Sequence, residues 1–420
     1  MGFASAWLDE RALFPEFIKE APDDNTGIIV VVPSYNEPGL TVLLDSLALC
    51  DKPECKAEVI IVVNAPAESD REILCTNEKS ITVVESWKEN HADCFFRLYA
   101  FNVINPPFAR WGVGLARKTG MDEAVRRFNR IGKPEGVIVN LDADCMVANN
   151  YFTAISDELL KKTDRSACSV YFEHPVSGNA YPEENYSFIT WYELHLRYYL
   201  QGIKYAGYPF PFHTVGSALA VKALAYIKAG GMNRRQAGED FYFIQKLVPD
   251  GGYFALNSTT VFPAPRVSLR VPFGTGATIS RLTGEKSGRL LTYNILAFTD
   301  LHALFEQTIN LCSSSGEEFE KIYSCLPESV RSFIGYDEFY EKMNEIRNNT
   351  SGIKSFQKRF FGWFNMFRIV KFMNAVHQQT YKKVPVNEVA SELLKIIGID
   401  PPSKEAGDIL KRYRELEKNR

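Results

Sequence analysis

An α/β fold, with a mostly parallel central sheet and an α-helical C-terminal part, is what three features of this sequence predict. β-branched apolar runs recur at 27–32, 58–63 and 136–141, helical patterns separate them, and from Leu290 onward the pattern stays helical. Strands buried on both faces of a parallel sheet read as such unbroken runs, whereas half-exposed strands alternate.

The chain has 420 residues, 45% hydrophobic and 24% charged, which is enough to bury a large core and typical of globular proteins. Its formal net charge of −3 gives no global drive toward nucleic acid, so anion binding must be local. Eight cysteines lie scattered, without a Cys-x-x-Cys pair or zinc spacing, which fits a reducing cytosol better than a disulfide framework. The first 19 residues carry Asp9, Glu10 and Glu16 where a secretory leader would be basic and then apolar, so a cytoplasmic protein is expected.

Taken in order, residues 1–25 read as an N-terminal helix and linker, broken at Pro22-Asp23-Asp24-Asn25. The first strand, 27–32, runs into Pro33-Ser34-Tyr35-Asn36-Glu37. A helix is expected over 40–49, then a second strand over 58–63 that stops at Asn64-Ala65-Pro66. A third strand is expected around 81–85, and 87–105 reads as a loop with aromatic packing. Gly112 opens a helix to about Asn129, closed by Gly132-Lys133-Pro134. The next apolar run stops at Asp142-Ala143-Asp144.

Those two carboxylates share a face of an extended chain at a strand's carboxyl edge, where open α/β sheets bind ligands. Two hard oxygen donors held close together suit magnesium or manganese, which is commonly shared between carboxylates and a substrate's phosphates. Acidic pairs after strands also cap helices or sit in solvent, so the motif needs company.

Company is present. Val32-Pro33-Ser34-Tyr35-Asn36-Glu37, Leu115-Ala116-Arg117-Lys118, Leu141-Asp142-Ala143-Asp144 and Gly238-Glu239-Asp240 follow one another in an order that resembles the family-two glycosyltransferases. The resemblance covers roughly residues 26–270. It implies a GT-A fold over 26–285, with 286–420 as a C-terminal α-helical subdomain. It also implies a metal-dependent, inverting hexosyl- or N-acetylhexosaminyltransferase of the Asp-x-Asp type, using manganese or magnesium. The donor would be a nucleoside-diphosphate sugar, UDP-linked in the first instance, and the acceptor a hydroxyl of a glycan or lipid-linked glycan in bacterial glycan or glycolipid synthesis.

By the same resemblance Pro33, Tyr35, Asn36 and Glu37 line the donor's base and ribose, and Arg117 faces its ribose or diphosphate. Asn64 stands where relatives place an acidic reader of the base, which leaves the base open. Asp142 falls to the ribose or a metal-bound water, Asp144 to the metal, and Asp240 to the general base, with Glu239 supporting it. His213, Gly216 and Ser217 fall on the acceptor side. Glu239 and Asp240 also read as acids at the positive end of a helix, and both roles can hold together.

Arg266 and Arg270 lie in a Pro- and Gly-containing stretch, 261–276, that reads as a loop; they can reach donor phosphates or simply decorate a strand edge. The aromatic set Phe188, Trp191, Tyr192, His195 and Tyr199 has the spacing of one buried helix face. In 354–383, phenylalanines at 356, 360, 364 and 367 make a core stripe; the alternative is peripheral contact with an anionic membrane surface on its inner face. A catalytically silent sugar-nucleotide binder and a sugar-nucleotide pyrophosphorylase are the alternatives to the transferase. The second should carry a Gly- and Arg-rich loop where this chain has 33–37.

Overall fold

A computed structural model of the chain describes residues 2–66, 68–104, 112–235, 238–266 and 290–419. These divide into two compact units, one built from residues up to Tyr186 and from Thr214 to Arg266, the other from Ser187–His213 and 290–419.

The first unit is organised on an eight-stranded sheet whose order is β3-β2-β1-β4-β7-β6-β8-β5. Its strands are β1 (Thr26–Ser34), β2 (Lys56–Ala65), β3 (Phe96–Ile104), β4 (Val137–Asn140), β5 (Cys145–Val147), β6 (Ala167–Phe172), β7 (Leu219–Lys222) and β8 (Tyr253–Pro263). β1, β2, β3 and β4 are mutually parallel, β7 runs antiparallel between β4 and β6, and β8 runs parallel to β6. Every residue of β1 is buried, as the unbroken apolar run requires. This is the mostly parallel, helix-flanked sheet that the sequence leads one to expect.

Helices α1 (Ser5–Arg11), α2 (Leu40–Ala48), α3 (Arg71–Asn90), α4 (Val113–Arg130), α5 (Tyr151–Ile155), α6 (Glu183–Tyr205), α7 (Ala223–Lys228) and α8 (Glu239–Leu247) complete this part of the chain. The strand expected at 81–85 is instead part of α3. Its β-branched Ile81, Thr82, Val83 and Val84 follow a helical 71–80, and Val84 and Trp87 turn the buried face inward; tertiary packing overrides local β-preference there. The true third strand lies within the stretch read as a loop, where Arg97, Asn102 and alternating aromatics mask the pattern.

Two glycines let elements approach. A side chain at Gly120 of α4 would strike Val31 and Val62, so the helix rests directly on β1 and β2. At Gly114 it would meet the backbone of Asn233 and Arg235, the loop that leads to α8.

The second unit is helical, from Ile295–Glu306 to Ala406–Lys418. The stripe at 354–383 is largely interior, with Phe356, Phe360, Phe364 and Phe372 fully buried. Among the described residues no helix is long and apolar enough to cross a membrane. α6 departs from expectation. Trp191, Tyr192, His195 and Tyr199 are half-buried, and the innermost face carries Glu193, Leu194, Arg197 and Tyr198. A charged pair occupies that face because it is fully answered: Arg197 Nε donates to Glu193 at 2.8 Å and Nη1 to Glu417 at 2.5 Å. Arg414 Nε adds a bond to Glu193 at 2.7 Å. Helix periodicity alone cannot see a buried ion pair closed from 220 residues away.

Candidate active site

Strand direction gathers the candidate residues. The carboxyl ends of β1, β2, β4, β6 and β8 share one edge of the sheet, and because β7 is antiparallel its start lies there too, with Leu219 beside Asn140. Strand order reverses between β1 and β4, whose neighbours β2 and β7 lie on opposite sides; such a switch point leaves a crevice beyond the strand ends. Glu37 follows β1, Asn64 ends β2, Asp142 and Asp144 follow β4, Gly216 and Ser217 precede β7, and Arg266 follows β8.

Two arginines join the acids. Arg117, in the second turn of α4 and only 4% exposed, donates from Nη2 to Asp142 Oδ1 at 2.5 Å and from Nη1 to Glu239. Burial by itself would pull this guanidinium's pKa down, but the charges of Asp142, Glu239 and Asp240 outweigh it and push it up. A side chain at Gly216 would fall within 2.6 Å of Arg117 Cζ, so only glycine leaves room for the guanidinium there. Arg266 donates from Nε to Asp144 Oδ2 at 2.9 Å and from Nη1 to Glu37 Oε1 at 3.1 Å, with a further bond from Nη2 to Glu37.

Asp240 is the second residue of α8. Its Oδ1 accepts the Phe241 N–H at 2.7 Å. Burial raises its pKa above the ordinary carboxylate range and the charge of Asp142 adds to that, while Arg117 and that backbone donor pull back. Glu239 is raised as well, first by burial, with Arg117 opposing and Asp240 and Asp142 adding. A raised carboxyl is a better proton acceptor once ionised than an ordinary one.

The donor-loop residues are placed differently from one another. Pro33 is buried in β1 and Tyr35 half-buried. Asn36 has φ 49°, a left-handed conformation that asparagine tolerates better than most residues, and its N–H donates to Asn77 Oδ1 at 2.8 Å. Glu37 is 3% exposed and is bonded by Arg266 and the Gly39 N–H, so in this state its oxygens face the protein. Asn64 Nδ2 donates to the Gly112 carbonyl at 3.1 Å, tying β2 to the start of α4.

On the acceptor side Ser217 is buried. His213 belongs to the second unit, where its Nε2 lies 3.1 Å from Glu417 Oε2. Arg270 lies outside the described residues. Tyr181 escaped the sequence reading: its half-buried phenol feels the charges of Arg266, Asp144 and Glu37. A lone tyrosine in an irregular 173–182 stretch offers no pattern, and only the fold brings it to the site.

Fold and site together define an α/β protein with an acidic crevice at the switch point of its sheet. A scan of protein-family models gives no match, and a search of curated proteins gives none either. Solved structures similar to this chain include Staphylococcus aureus TarS 1-349 in complex with UDP-GlcNAc, at 14% identity and TM-score 0.41, covering 84% of this chain and 93% of that one. A mannosyltransferase, PcManGT from Pyrobaculum calidifontis with GDP-Man and Mn2+, matches at 16% identity and TM-score 0.37, covering 99% and 92%. Glucosyl-3-phosphoglycerate synthase from Mycobacterium tuberculosis with Mg2+ and UDP matches at 13% identity and TM-score 0.34, covering 55% and 69%. At such TM-scores no residue-level correspondence follows.

Proposed function

We propose that this protein is a metal-dependent, inverting glycosyltransferase that moves a sugar from a nucleoside-diphosphate donor to an acceptor hydroxyl. The observation that carries this reading is the shared guanidinium of Arg117, which puts Asp142 and the Glu239-Asp240 pair around one buried charge, with Asp144 two residues from Asp142. Acids distant in sequence thus meet at a ligand-binding sheet edge, in the order of motifs that resembles family two.

A divalent cation fits this donor set. Glu37, Asp142, Asp144, Glu239 and Asp240 gather at this edge with Arg117 and Arg266, and their carboxylate oxygens are the hard donors that such an ion takes. No group of three metal-binding side chains is found among the described residues. Asp144 and Asp142 would hold magnesium or manganese, which when bound supplies positive charge beside the leaving diphosphate.

In the transfer the acceptor oxygen forms a bond to the anomeric carbon as the bond from that carbon to the diphosphate breaks. Asp240 takes the hydroxyl proton, held for the task by the backbone N–H of Phe241. Attack from the face opposite the leaving group inverts the configuration.

Thermal-shift measurements with uridine, guanosine and thymidine diphosphates, each with and without Mn2+, test the reading. One diphosphate is expected to raise the melting temperature with metal, because a ligand that binds the native form alone stabilises it. Loss of that shift in Asp144→Ala is also expected. No shift with any nucleotide, together with no donor turnover, refutes the proposal. Arg266→Ala is expected to raise the donor's KM by about tenfold, the worth of one charge-assisted hydrogen bond; steady-state kinetics at saturating metal read this.

A further inference from the structure

The resemblance gives Arg117 to the donor, but the geometry points to a different task. We infer that Arg117 is a positioning residue for the Glu239-Asp240 pair, acting through the acids it binds rather than through the donor. This rests on the transferase reading and goes beyond it.

The guanidinium is spent inside the protein. Arg117 is 4% exposed, and one terminal nitrogen is committed to Asp142 while the other is committed to Glu239. Its Nε is buried inside the protein with no partner. Asp142 belongs to the loop after β4 and Glu239 to the first turn of α8, two elements 97 positions apart that share no strand pairing. A planar fork can hold both carboxylates at once; an ammonium, a single point, cannot reproduce that span. Gly216 completes the arrangement. Its missing side chain leaves the space the guanidinium fills. Glycine at this one position thus lets the arginine sit where it reaches both carboxylates. The close packing of Gly114 against Asn233 and Arg235 further ties α4 to the segment entering α8.

A positioning role and a donor-contact role separate in kinetics. An interaction present only in the reacting geometry lowers kcat when lost, whereas a lost donor contact raises KM. Arg117→Gln, Arg117→Lys and Gly216→Ala are to be measured beside the parent for kcat, donor KM and the melting shift given by the nucleotide diphosphate with Mn2+. Arg117→Gln and Gly216→Ala are expected to lower kcat by roughly 10²-fold, the usual cost of misplacing a reacting group. Donor KM rises by less than kcat falls, the rise being the share that passes through Asp142, and a nucleotide-induced shift is retained. Arg117→Lys, keeping the charge without the fork, is expected to recover only part of the lost kcat.

A donor KM raised tenfold or more at unchanged kcat would overturn the inference and return Arg117 to the donor. So would full recovery by lysine, which shows that charge alone suffices. If Arg117→Gln does not fold, Gly216→Ala and Arg117→Lys decide by the same split. A parent without donor turnover or nucleotide-induced shift defeats the transferase reading itself, an outcome distinct from an active parent whose variants lose donor affinity.

Discussion

Asp240→Asn is expected to lower kcat by about 10²- to 10⁴-fold, the range that a positioned general base contributes. The amide is nearly isosteric and can still accept the Phe241 N–H, so binding and fold should survive while proton acceptance is lost. The parent's rate should fall on the acid side with a midpoint above the ordinary carboxylate range, because burial raises the Asp240 pKa and the base works only when ionised. That acid limb should vanish in the variant. Stability should move the other way. A buried acid with a raised pKa binds its proton more tightly in the native than in the unfolded chain. Its contribution is therefore fully favourable below the unfolded value of 3.8 and is lost as pH rises through the folded one. At neutral pH the ionised carboxylate is a net cost, so Asp240→Asn should melt no lower than the parent. A variant equally inactive but unfolded, or one with parental kcat, would remove Asp240 from the chemistry.

The sequence made the strand ends legible and little beyond them. β1, β2 and β4 announce themselves because residues buried on both faces must be apolar throughout, and the acids at 142, 144 and 240 stand out against such runs. The partners of those acids were less visible. Arg117 was recognised, but nothing in Leu-Ala-Arg-Lys tells that its side chain is enclosed between Asp142 and Glu239. Gly216 was noted for the acceptor; its close approach to a guanidinium from another element exists only in three dimensions. β3 was missed because it is polar at Arg97 and Asn102, and the helix before it carries four β-branched residues in a row. The Glu193–Arg197 pair hid in an aromatic stripe for the same reason: burial of charge depends on partners that local pattern does not contain.

Glu58→Ala is expected to destabilise the sheet-bearing unit by about 3–5 kcal/mol, as removal of one partner from a buried ion pair does. Glu58 lies on β2, between β1 and β3, and is fully buried, and Arg127 of α4 is 1% exposed. Arg127 meets it with two nitrogens, Nε and Nη2, the latter at 2.7 Å from Oε1. The same guanidinium donates to the Glu20 carbonyl at 2.9 Å and lies 4.8 Å from the centre of the Tyr99 ring. Truncating Glu58 therefore leaves a buried cation with a carbonyl and a ring but no counter-charge. Urea unfolding should show a lower midpoint at unchanged slope. The double variant Glu58→Leu with Arg127→Met should recover most of the loss, because desolvation of the two ions offsets much of their attraction and a well-packed apolar pair avoids both. If the double variant is instead as unstable as the single one, the pair acts by more than charge compensation. In that case it sets how α4 lies across β2, and Arg117, two turns and more up the same helix, should lose its hold on Asp142 and Glu239 as well. Transfer activity of the double variant distinguishes these outcomes, since parental kcat in a restabilised protein means that the helix was never displaced.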